Sequence, residues 1–63
     1  MKLKDLKQEF DQIKERSLAL SNYILDNPEF PEQTPEQKRA IQVQYEAMCV
    51  YQDALEQRIK LME

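Results

Sequence analysis

The stretch NPEFPEQTPEQ, Asn27 to Gln37, decides the fold. It holds all three prolines of a 63-residue chain that has no glycine. A residue before proline is pushed out of the α region, so a helix reaching Asn27 ends there, ahead of Pro28. Seven residues later TPEQ is a start signal. Thr34 can cap, Pro35 occupies the first helical position, and Gln37 completes a capping box. The stretch therefore reads as a proline-stiffened connector between two helices. Phe30, its one large apolar residue, is expected to fold back over the open end of the pair.

On the N-terminal side, residues 2–26 read as the first helix. Leu3, Leu6, Phe10, Ile13, Leu20 and Ile24 follow three-four spacing, with Ser17 at the position where an apolar residue is missing. Leu18, Tyr23 and Leu25 fall beside or beyond this stripe. On the C-terminal side the helical pattern runs without a breaker over 35–62. Two helices joined by a short loop pack antiparallel, so the expected fold class is all-α, a two-helix hairpin forming a single domain.

A chain this short buries only about 60% of its unfolded surface and needs further support. Cys49 is the one cysteine, so no internal disulfide supplies it. With no histidine and a single thiolate, a tetrahedral zinc set is not expected. Well-packed helices or self-association remain. A net charge of −3 argues against broad binding of nucleic-acid polymers or anionic membranes. No apolar run approaches the roughly 20 residues of a membrane span. The start, MKLKDLKQEF, has no signal-peptide core, which makes a cytoplasmic location the expectation.

The second helix carries two apolar seams on a wheel of 100° per residue. Ile41, Tyr45, Met48, Leu55, Ile59 and Met62 form one, with Gln52 as its polar member. Ala40, Val43, Ala47, Val50, Ala54 and Leu61 form the other. Together they span about 200°, twice the usual amphipathic stripe of about 100°. The first helix offers one main stripe, so the second seam is left for another surface. Exposed strips of that size mark interfaces, and closed homo-oligomers are the default form of self-association.

Gln44, Tyr51 and Arg58 recur every seven residues on the line between the seams. Three readings fit this row. Tyr51 and Arg58 pack their stems while keeping their tips wet; or polar groups fix register and oligomer state; or a pocket forms between protomers, with tyrosine stacking on a flat ring and arginine holding an anion. Lys38 and Arg39, in the first turn of the second helix, are either a solvated basic pair or a phosphate site at the helix N-terminus. Cys49, on the flank of the larger seam, reads as a small hydrophobe with nothing nearby to activate it. Catalysis finds no support: no Ser–base pair, no histidine and no glycine-rich loop is present, and Glu46, Asp53 and Glu56 fall on the outward face. A non-enzymatic protein without cofactor is expected.

The order Phe10, Ile13, PEF at 28–30, then Gln44, Ala47-Met48, Tyr51, Leu55 and Arg58-Ile59, resembles a family of small phage-encoded helical hairpins first catalogued in crAss-like phages. That family is in turn similar to the anti-CBASS and anti-Thoeris sponge proteins of phages. The resemblance implies small helical homo-oligomers, hexamers among them, that sequester cyclic nucleotide or ADP-ribose-type immune signals in the cytoplasm of the infected bacterial host without degrading them. It further implies pockets between protomers, where Tyr51 stacks on a base, Arg58 meets phosphate and Gln44 reads a polar edge. Lys38 and Arg39 are weaker additions that no motif supports. The alternative from a different class is a protein-binding hairpin, inhibitor or scaffold, that uses the second seam on a foreign partner.

Overall fold

The computed structural model describes residues 2–63, and its two elements are α1 (Leu3–Asp26) and α2 (Pro35–Met62). Contacts between Lys7 and Glu63 near one end, and Ser17 and Gln52 further along, show that the helices run antiparallel. Both ends of the connector follow from its residues. The Asn27 backbone N–H still donates to Tyr23 O at 3.2 Å, but its own backbone has turned extended ahead of Pro28. Asn27 Oδ1 then accepts from the Glu29 N–H at 2.8 Å, so the asparagine side chain starts the turn. At the far end the capping box is complete. Gln37 N–H donates to Thr34 Oγ1 at 3.2 Å and Thr34 N–H donates to Gln37 Oε1 at 3.1 Å, with Pro35 in the first turn.

Phe30 closes the hairpin as expected. It is buried and meets the Tyr23 ring edge to face, with centroids 6.0 Å apart and planes at 82°. Gln33 Nε2 donates to the Tyr23 hydroxyl at 3.2 Å, which ties the connector to the end of α1 a second time.

The core is one thin seam. Leu6 and Leu55 are 0% and 1% exposed, Ile13 lies beside them, and Phe10, Met48 and Ile59 pack around the edge. Full burial contributes about 1.5–3 kcal/mol for each of these leucines. Ser17 is buried where the apolar stripe of α1 has its gap, and its hydroxyl meets Gln52 Oε1 at 3.0 Å. The two polar substitutions, one in each seam, therefore answer each other. Among the described residues no buried side-chain polar atom lacks a partner. Met62, expected in the seam, is instead half in water. α1 still runs alongside this turn, since Lys7 meets Glu63, but Met62 lies one turn beyond Arg58, on the exposed flank of the seam.

The molecule measures 44 × 17 × 14 Å, with a radius of gyration of 14.2 Å. A compact chain of this length would have one of about 11 Å. A rod made of two helices has only one line of mutual contact, which leaves most of each helix facing outward.

Candidate functional site

The second seam of α2 lies in the open. Ala40, Val43, Ala47, Val50, Ala54 and Leu61 are all exposed, Val50 at 69% and Leu61 at 88%. The cause is rotational. Leu55 and Met48 turn toward α1, and residues roughly a third of a turn away cannot reach any partner within the hairpin.

Between this ridge and the core runs the row Gln44, Tyr51 and Arg58, exposed at every position. Its centre is held from the other helix: the Tyr51 hydroxyl donates to Glu9 Oε1. The hydrogen bond to Glu9 favours the protonated phenol and raises its pKa above the ordinary 10.0. Partial desolvation and the Glu9 charge act the same way, and the Arg58 charge opposes them. Tyr51 is therefore a neutral phenol whose donor points at Glu9. Arg58 is close enough to act on it electrostatically.

Glu9 belongs to this cluster and was not singled out from the sequence. The available signal is a second heptad: Glu9, Arg16 and Tyr23 recur every seven residues on the flank of α1 that faces the same side. Chemically the cluster offers an aromatic face, a guanidinium with five N–H donors and a carboxylate with free lone pairs. A flat ring, an anionic group and a hydrogen-bond donor of one ligand each find a match in that set. The row lies on an open face of the hairpin, so enclosure requires a second surface.

Lys38 and Arg39 do not join it. Lys38 is half-buried and Arg39 exposed, and 13 residues of α2 place Lys38 about 20 Å along the axis from Tyr51. Cys49 is half-buried on the opposite flank, beside Lys14, Leu18 and Gln52. Among the described residues no three His, Cys, Asp or Glu side chains are grouped so as to hold a metal ion. Nor is any described helix long and apolar enough to cross a membrane.

No curated protein and no solved structure matches the chain. Residues 2–61, both helices and the connector that joins them, match the Sequestin family, and the chain belongs to that family.

Proposed function

We propose that this hairpin is a non-enzymatic phage protein that self-assembles and sequesters a small nucleotide signal of a bacterial defence system, of the cyclic nucleotide or ADP-ribose type. The observation that carries the reading is membership, across residues 2–61, of a family whose name denotes sequestration. The side chains suit the task. Tyr51 stacks on a base, Arg58 meets a phosphate, Gln44 reads a polar edge, and Glu9 orients the phenol. A second protomer on the Ala40–Leu61 ridge supplies the wall that a single hairpin lacks and encloses the row. Holding the signal intact in the cytoplasm of the infected cell needs no nucleophile, base or metal.

Calorimetric titration with cyclic dinucleotides, cyclic trinucleotides and cyclic ADP-ribose isomers tests this. The expected result is saturable binding to one class of ligand, with the ligand recovered unaltered when the protein is denatured. Silence across the panel from a folded, assembled sample rejects sequestration, and recovery of a cleaved product rejects the non-enzymatic reading. Arg58→Ala is expected to abolish binding while keeping helical content.

The exposed Val43, Val50 and Leu61 also favour a second reading, a hairpin that docks on a foreign protein. A monomeric mass in solution favours that alternative; a stable closed oligomer favours self-assembly.

A further inference from the structure

We propose that copies of this hairpin join head to tail: the α2 ridge of one copy receives Leu18 and Leu25 of α1 from the next. The inference rests on the self-assembly reading above and specifies its geometry.

Surface area comes first. The described residues expose 5039 Å², whereas a compact monomer of 7.6 kDa exposes about 4,300 Å². The excess of about 700 Å² is close to the roughly 800 Å² that each partner contributes to a standard interface. A second copy of the chain therefore restores the burial that the hairpin falls short of.

Next is the placement of the apolar surface, which forms two faces rather than one. The ridge follows α2 on the side where Tyr51 meets Glu9. Leu18 and Leu25, 61% and 75% exposed, stand on the opposite side. There Leu18 borders Tyr45, Cys49 and Gln52, and Leu25 borders Ile24 and Tyr45. A two-fold dimer that packs ridge on ridge leaves both leucines in water. A head-to-tail contact covers both faces of every copy, and it closes into a ring when the rotation per step divides a full turn.

The shapes also correspond. Leu18 and Leu25 are seven residues apart, so they project about 10.5 Å apart along α1. Ala40, Ala47 and Ala54 repeat at the same interval along α2. Ala47 is a notch between Val43 and Val50, and Ala54 one between Val50 and Leu61. Two large knobs therefore face a row of notches of matching pitch, the pattern by which helices interdigitate.

Complementation between two broken faces tests the arrangement. Leu18→Glu/Leu25→Glu removes the knobs and keeps the ridge; Ala47→Glu charges the ridge and keeps the knobs. Val50→Glu, at a position 69% exposed within the hairpin, repeats the ridge test independently. Native mass spectrometry is expected to find neither variant assembled alone. An equimolar mixture should give a 1:1 heterodimer and nothing larger, since it holds one intact knob–ridge pair, with helicity retained or regained on mixing. Wild-type mass for the double leucine variant, or a mixture without heterodimer, overturns head-to-tail packing. A monomeric wild type removes the self-assembly reading as well. Ligand binding plays no part in the mass, so the sequestration reading fails separately.

Discussion

Ser17 and Gln52, the polar members of two otherwise apolar seams, meet across the hairpin at 3.0 Å. The Ser17 hydroxyl has one proton and two acceptors, because Lys14 O also lies 3.0 Å away in the preceding turn. Losing Gln52 therefore leaves Ser17 satisfied, so the pair adds little to stability. Its effect is on register: a slip of one helix past the other would set each polar group against leucine or methionine.

Gln52→Leu is accordingly expected to leave stability unchanged or raise it by up to about 1 kcal/mol, since a half-buried amide is replaced by an apolar side chain. Ser17→Ala/Gln52→Leu removes the polar marker altogether and should give more than one set of amide resonances in a two-dimensional NMR spectrum. A single sharp set from the double variant rejects the register role.

Leu55→Ala tests how thin the core is. Truncating a fully buried leucine costs about 2–5 kcal/mol, and a single core in a chain of this size supplies no more than about 3–5 kcal/mol. Circular dichroism at low protein concentration should show most of the helix signal lost at room temperature. Leu61→Ala, at the exposed end of the ridge, should leave the melting curve of dilute protein nearly unchanged.

The hairpin was legible because its signals are local. Pro28 stops one helix, Thr34 and Gln37 cap the next, and three-four spacing marks the face between them, so α1 and α2 fall within a residue of their expected bounds. The surplus seam was legible for the same reason, since a wheel needs only one helix. What one helix cannot show is its axial offset and rotation against another. Those two quantities bring Glu9 to Tyr51, leave Met62 uncovered and place Leu18 and Leu25 opposite the ridge. The heptad through Glu9 was visible, but nothing local says which heptad of α2 it faces.

Thr34→Ala tests the start of α2. It removes the acceptor for the Gln37 N–H and breaks the reciprocal box, while Pro35 stays in place. The expected loss is about 1 kcal/mol, read as a lower denaturation midpoint with an unchanged slope. Thr34→Asp keeps an acceptor at the same place and adds a favourable charge at the helix N-terminus, so it should restore most of the loss.

The Tyr51–Glu9 contact predicts an alkaline signature. Hydrogen bonding by the Glu9 carboxylate raises the phenol pKa, so Tyr51 is expected to ionise later than an ordinary tyrosine. A raised pKa in the folded state means that the stability the contact supplies is full below the ordinary tyrosine range. It is lost as pH climbs through the raised value. The contact is exposed, so the effect on stability is small and the titration is the better reading. Phenolate absorbance followed against pH, with Tyr51→Phe used to isolate the Tyr51 component, should show that component shifted upward in the wild type. In Glu9→Gln, which keeps an acceptor and loses the charge, it should move back down. Arg58→Ala removes the opposing charge and should push the wild-type value higher still. A Tyr51 component that titrates identically in wild type and Glu9→Gln removes Glu9 from the cluster and leaves the row to α2 alone.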